Sequence, residues 1–265
     1  MLTGSTRLVG LLGHPVSHSL SPRMQNAAFA ARGLDWAYVP LDVAPERLEE
    51  AVAGLVALGF AGGNVTIPHK TAVLAYCDEI DPFAERAGSA NTLVVRDGRL
   101  LASSTDGIAV TGAVEAAGAR VLLLGAGGAA QAVATALLDS GAASILVAAR
   151  RPDAAGALAA RLHALFPGRD VAAAERWPPA VGEATLVVNA TPLRDEPPVA
   201  LAPRQVVVDL AYRADGAPTA LVAGAPGPAV DGLEVLVRQG AASFERWTGL
   251  PAPLDVMRAA VRSPA

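Results

Sequence analysis

The sequence predicts an α/β protein of two domains with a cleft between them. Three observations predict it. Apolar strand patterns alternate with amphipathic helix patterns along the whole chain, which is the signature of parallel-sheet units. An Asp97-Gly98 turn between two apolar runs adds an antiparallel hairpin to the first half, so that sheet is mixed. A bare apolar strand, RVLLL, runs straight into the glycine-rich GAGGAA in the second half. At 265 residues the chain is long for one core and comfortable for two.

The first half reads in order as follows. Arg7–Leu12 is a buried strand. Ser21-Pro22 is an N-cap and first-turn pair, and the helix it opens stops at Gly33. Trp36–Leu41 is a second strand. Pro45 starts a helix that Gly59 closes. Phe60–Ile67 is the third strand, followed by a short helix over residues 71–80. Asn91–Val95 and Leu100–Ser104 are the hairpin strands.

In the second half, a linking helix is expected over residues 107–119. Strand Arg120–Leu124 precedes the glycine loop and its helix, residues 131–141. Strand Ala143–Ala148, a helix after Pro152, and strands Thr185–Asn189 and Gln205–Leu210 complete a βαβ series. Ala214–Pro228 reads as irregular, and Leu233–Trp247 and Pro253–Val261 as closing helices. The expected domains are residues 1–105, joined by the C-terminal helices 233–265, and residues 106–232.

Composition narrows the function. The net charge of −4 argues against a general nucleic-acid or anionic-membrane surface. No apolar run reaches the roughly 18 residues of a membrane span. One cysteine, Cys77, excludes an internal disulfide and a Cys-based zinc site, and the scattered histidines offer no metal spacing. The expected setting is the reducing cytoplasm, without a metal.

Gly125-Ala126-Gly127-Gly128-Ala129-Ala130 is a GxGxxA fingerprint between strand and helix. The first glycine allows a tight turn, the second lets the backbone approach a pyrophosphate, and the small last residue lets helix pack on strand. The free N–H groups of the helix start then hold the anion. These features predict a Rossmann-type domain; a glycine-rich turn without a ligand, or one serving a flavin or a methyl donor, is the alternative reading. The next strand ends in Ala149-Arg150-Arg151 with no acid until Asp153. An acid there would take the ribose 2′-hydroxyl of NAD; two guanidiniums suit the 2′-phosphate of NADP. Plain surface charge is the alternative reading of that pair.

The first half carries polar residues at element ends. NVTIPHK ends in Lys70, the only lysine beside 20 arginines. A chain that otherwise uses arginine is expected to keep one ammonium where a proton can move, with an ordinary solvated helix residue as the alternative reading. Asn64 and Thr66 alternate before it, as strand-end residues facing one side. Ser19 and Ser21 flank Leu20 before the first helix and suit a carboxylate. Asn91 stands in SANT, and Thr105 and Asp106 in STDG, where the halves join. A lysine and an aspartate in one cleft would make a proton-transfer pair.

Read together, GHPVSHSLSP, GGNVTIPHK, AGSANTL, STDG, LLLGAGGAA, VNATP, VVDLAY and DGLEVLVRQGAASFERWTG resemble, in order, the shikimate/quinate dehydrogenase family. The resemblance covers essentially the whole chain. It implies NADPH-dependent reduction of 3-dehydroshikimate to shikimate, in the route to chorismate and the aromatic amino acids. It implies Lys70 as the catalytic acid/base with Asp106 as partner. Ser19 and Ser21 would hold the substrate carboxylate; Thr66, Asn91 and Gln239 would contact the ring hydroxyls, and Tyr212 would line the site. Thr191, Leu210 and Gly232 would lie by the nicotinamide half of NADP. The family contains monomers and homodimers, and both stay open here.

The chain departs from the family pattern at His14, Ser104, Arg194 and Ala149-Arg150-Arg151. Relatives acting on quinate or aminoshikimate, or using NAD, share the catalytic motifs and remain alternatives. A folate-type dehydrogenase would need an aromatic-lined pocket, which 4% aromatic residues disfavour. A non-catalytic NADP sensor would be expected to lack Lys70 or Asp106.

Overall fold

The computed structural model describes residues 2–263. The domain limits at residues 1 and 265 therefore lie outside the described residues. The chain divides into two compact units, one running up to Thr105 and resuming at Val237, the other Asp106–Leu236.

The first unit contains β1 (Arg7–Gly13), α1 (Ser21–Ala31), β2 (Trp36–Asp42), α2 (Leu48–Ala57), β3 (Gly62–Val65), β4 (Glu79–Ile80), α3 (Pro82–Ala87), β5 (Thr92–Arg96) and β6 (Arg99–Ser103). Its sheet has the order β2-β1-β3-β5-β6-β4. β2, β1 and β3 are parallel; β5 runs antiparallel to both β3 and β6. Asp97 and Gly98 both adopt positive φ, 53° and 74°, as the tight β5–β6 turn demands. Leu12, Val52, Leu55, Val65, Leu93 and Leu100 form the core beneath this sheet. Each such side chain contributes roughly 1.5–3 kcal/mol on burial.

The second unit contains α4 (Asp106–Thr111), β7 (Arg120–Leu124), α5 (Gly128–Asp139), β8 (Ser144–Ala148), α6 (Pro152–Leu165), β9 (Asp170–Ala173), β10 (Leu186–Asn189), β11 (Val206–Asp209), α7 (Ala220–Ala223) and β12 (Ala229–Val230). Its sheet, β12-β11-β10-β7-β8-β9, is parallel throughout. Pleat alternation splits β7 between two cores. Leu123 joins Val133, Leu137, Leu158 and Val188 on one face, while Leu122 and Leu124 join Val187, Val207 and Leu221 on the other. Helix α8 (Gly232–Thr248) contains the boundary between the units, and α9 (Leu254–Arg262) packs on α1.

Several expectations are corrected. Ser21 is the first helical residue, not the cap: Leu20 occupies the cap position, and the Ser21 N–H donates to Ser19 Oγ at 3.2 Å. The helix expected over 71–80 is a 3-10 turn, Ala72–Tyr76, followed by β4. Long-range pairing wins there, because Asp78 N–H donates to Leu100 O and Asp78 Oδ2 accepts the Leu100 N–H. The helix expected over 107–119 ends at Thr111, before Gly112 and Gly118, since each glycine costs about 1 kcal/mol in a helix. β9 is an additional strand, and the stretch expected to be irregular holds α7, capped by Thr219.

Candidate active site

The first unit gathers its polar residues at the C-terminal edge of its parallel strands. β1 and β3 lie side by side, so the loop after Gly13 and the turn after Val65 leave from the same edge. The two are tied together: His14 N–H donates to Ile67 O at 2.9 Å, and Thr66 N–H to Leu12 O at 2.8 Å. The turn Thr66-Ile67-Pro68-His69 closes with His69 N–H on Thr66 O across a cis Ile67–Pro68 bond. His69 is buried, and its Nε2 lies 2.7 Å from Val43 O. With only a carbonyl as partner, that nitrogen carries the proton and donates. Lys70 follows at once and is half-buried; its carbonyl accepts the Ala90 N–H at 2.8 Å. The sole lysine is thus fixed by its backbone beside Asn91.

Asn91 is 2% exposed and sits in a dense network. Its Oδ1 accepts the Thr105 N–H at 2.8 Å, and its Nδ2 donates to Gln239 Oε1 at 3.2 Å. Two expected ring-hydroxyl contacts, Asn91 and Gln239, therefore touch although 148 positions separate them. Behind them, Asn64 Nδ2 donates to Asn91 O and to Ser243 Oγ, while Asn64 Oδ1 accepts the Tyr38 hydroxyl at 2.8 Å. Thr92 Oγ lies 2.8 Å from Ser243 Oγ. Such a fully bonded buried layer makes the groups above it rigid. Tyr38, Thr92 and Ser243 escaped the sequence reading; nothing local marks a serine on a helix as the partner of a strand 151 residues away. Ser19 is half-buried and Ser21 buried, joined by the hydrogen bond from the Ser21 N–H to Ser19 Oγ. Thr66 is half-buried.

The second unit presents a different edge. The order β9-β8-β7-β10-β11-β12 reverses between β7 and β10, which is the crevice where open α/β sheets bind ligands. Gly125 leaves β7 there with φ of 112°, and a Cβ on it would lie 2.8 Å from Ala190 O. Only glycine fits. Gly127 is exposed, with nothing within 4 Å of where its Cβ would stand. Gly128 begins α5, so its N–H and those of Ala129 and Ala130 lack intrahelical acceptors. Ala130 is fully buried and lets α5 approach the sheet. An open glycine above free N–H groups fits a dinucleotide pyrophosphate. Ala126 is half-buried in the same turn. Arg150 and Arg151 are exposed just past β8, on the same edge, since Leu124 and Ala148 are in register. They fit a phosphate that approaches from solvent.

On the other side of the crevice, Thr191 Oγ donates to Asn189 Oδ1 at 2.6 Å and Leu210 N–H to Asn189 O at 2.8 Å. Gly232 opens α8 against the Ala211 carbonyl, where a Cβ would lie 2.1 Å from the oxygen. Tyr212 is half-buried nearby in sequence, after β11. Asp106, first residue of α4, is 5% exposed. Asp209 is wholly buried, and desolvation pushes its carboxyl up to about 6 against the lowering effect of its hydrogen bonds and Arg194. Sequence reading passed over Asp209, although an acid ending the apolar run VVVD was a visible signal.

The shikimate dehydrogenase substrate binding domain matches residues 11–93, shikimate / quinate 5-dehydrogenase residues 108–194, and the shikimate 5'-dehydrogenase C-terminal domain residues 232–262. Shikimate dehydrogenase (NADP(+)) of Anaeromyxobacter dehalogenans is 48% identical over 98% of this chain and 97% of its own. The structure of Thermus thermophilus shikimate 5-dehydrogenase in complex with NADP(H) and shikimate is 34% identical with a TM-score of 0.83, covering 97% of this chain and 98% of that one. Quinate dehydrogenase from Corynebacterium glutamicum, in complex with NAD, is 29% identical with a TM-score of 0.82, covering 96% and 98%. With matched domains spanning both units and nearly half its residues shared with one relative end to end, this chain belongs to the shikimate/quinate dehydrogenase family.

Proposed function

We propose that Lys70 is the acid/base, and Asp106 its partner, in the reversible NADP-linked interconversion of 3-dehydroshikimate and shikimate. The reaction is that of the NADP(+) shikimate dehydrogenases to which the chain is similar over 98% of its length. The observation that carries the residue assignment is the setting of Lys70. It is the one lysine of the chain, and its carbonyl is bonded beside the Asn91–Gln239 pair.

NADPH, held by residues 125–130, would supply the hydride when bound. As the ring ketone accepts it, negative charge grows on the oxygen. The Lys70 ammonium stabilises that charge and donates the proton, then reloads from water; in the reverse direction it takes the hydroxyl proton. Asp106 orients the ammonium and the neighbouring hydroxyl. Asn91, Gln239 and Thr66 fix the ring hydroxyls and Ser19 and Ser21 the carboxylate, away from the reacting carbon. Tyr212 lines the pocket. Such positioning lowers the entropic part of the barrier. Residues 125–130 take the pyrophosphate, Arg150 and Arg151 the 2′-phosphate, and Thr191, Leu210 and Gly232 flank the nicotinamide half. Residues 1–105 with the C-terminal helices act as the substrate domain, and 106–232 as the cofactor domain.

No helix among the described residues is long and apolar enough to cross a membrane. We place the enzyme in the cytoplasm, acting on small molecules rather than nucleic acid; light scattering reads whether it works as monomer or homodimer. The test of function is an absorbance assay with shikimate, quinate and aminoshikimate, each with NADP and NAD. The largest kcat/KM is expected for shikimate with NADP. A larger value for quinate with NAD would place the chain with quinate dehydrogenases instead.

A further inference from the structure

We propose that Asp209 is a positioning residue for the nicotinamide half of the cofactor: its buried carboxylate ties together the loops after β10 and β11, which carry Thr191 and Leu210–Tyr212. The inference rests on the reading that those loops flank the nicotinamide. Asp209 ends β11 and is in register with Asn189 at the end of β10. Its Oδ1 accepts Asn189 Nδ2–H at 2.8 Å and the Ala211 N–H at 2.9 Å, and its Oδ2 accepts the Thr219 hydroxyl at 2.6 Å.

Each donor leads to a different segment of the chain. Asn189, held by its amide, uses its Oδ1 to accept both the N–H and the hydroxyl of Thr191, at 3.0 and 2.6 Å. Ala211 stands directly before Tyr212, and its carbonyl is the surface on which Gly232 rests. Thr219 caps α7 by accepting the Val222 N–H. One side chain thus fixes the rotamer of Asn189, the direction of the chain after β11, and the start of α7.

Stability alone is a poor reason for this carboxylate. Desolvation opposes a buried charge, and apolar side chains at a strand end would cost less. Three donors, from the end of β10, the loop after β11 and the cap of α7, converge on this carboxylate and secure geometry instead. The angle of the Thr191 loop depends on them, and an ångström there matters to the ligand that the loop flanks.

The test measures binding of NADPH and of 2′,5′-ADP, the adenosine half alone, by calorimetry. Asp209→Ala is expected to weaken NADPH roughly tenfold, about one hydrogen bond's worth of orientation. Binding of 2′,5′-ADP should stay within about twofold, because its contacts lie across the crevice by β7 and β8. Asp209→Asn keeps the Oδ1 acceptor and can donate its amide to Thr219 Oγ, so it should restore most of the NADPH affinity. If Asp209→Ala does not fold, Asn189→Ala removes the link between Asp209 and Thr191 while leaving the Asp209 bonds to Ala211 and Thr219, and should show the same split. Equal weakening of both ligands means a general structural role and overturns the proposal, as does unchanged NADPH binding. Thr191→Val separates the two levels. If it weakens NADPH while Asp209→Ala does not, only the inference falls; if neither weakens NADPH, the placing of these loops beside the nicotinamide falls with it.

Discussion

Replacing Asp209 by Asn should change how stability depends on pH. The wild-type carboxyl stands at about 6 in the folded protein against an ordinary value of 3.8, and burial is the dominant cause. A folded-state value above the unfolded one means that, between the two, the folded protein binds more protons. Stability from this group is therefore fully present below about pH 4 and is lost as pH rises through about 6. The gap between 3.8 and about 6, at about 1.4 kcal/mol per pH unit, is worth about 3 kcal/mol. Asparagine fills the same volume, keeps the Oδ1 acceptor for Asn189 and Ala211, and does not titrate in this range. The stability of Asp209→Asn relative to wild type should thus improve by up to about 3 kcal/mol between pH 4 and pH 7, whatever its offset at low pH. Urea unfolding of both proteins across that range, without ligand, measures the difference directly. A difference that is flat with pH, or that moves in favour of wild type as pH rises, would refute the assignment of a costly buried carboxylate.

Lys70→Ala should lower kcat by about two orders of magnitude or more with little change in NADPH affinity, as loss of a general acid does. Lys70→Arg should fail similarly, because a guanidinium does not release its proton near neutral pH; near-normal turnover would remove the proton-transfer role. Arg150→Ala should raise the Michaelis constant for NADP about tenfold, the low end for a charge-assisted contact at an exposed site, and leave NAD nearly unchanged. Equal weakening of both cofactors would make Arg150 ordinary surface charge. Burial, reinforced by Asp78, pushes the Cys77 thiol up to about 12. Cys77 in the folded protein should therefore react with iodoacetamide at pH 8 far more slowly than in urea, since thiolate is the nucleophile. Equal rates would mean that the thiol is exposed.

The sequence by itself determined the α/β class, the glycine loop and the order of most elements. These are local signals. RVLLL followed by GAGGAA needs no distant partner to be read, because pleat, turn and helix start are encoded within a dozen residues. The hairpin at Asp97-Gly98 was legible for the same reason, since positive φ at both positions selects those residue types. The motifs around Lys70, Asn91 and Asp106 could be named from the chain alone. What only the tertiary structure decided lies where distant contacts outweigh local preference. Residues 77–80 leave their helical pattern because Asp78 and Glu79 pair with β6. Ser21 lies inside α1 rather than at its cap, and its N–H donates to Ser19 Oγ. The layer of Tyr38, Asn64, Thr92 and Ser243 behind Asn91 and the meeting of Asn189, Thr219 and Asp209 join residues with no mutual spacing rule. A buried polar atom must find a partner, and which partner it finds depends on how strands align and helices return. That information is in the register and packing of the folded chain, not in any short stretch of it.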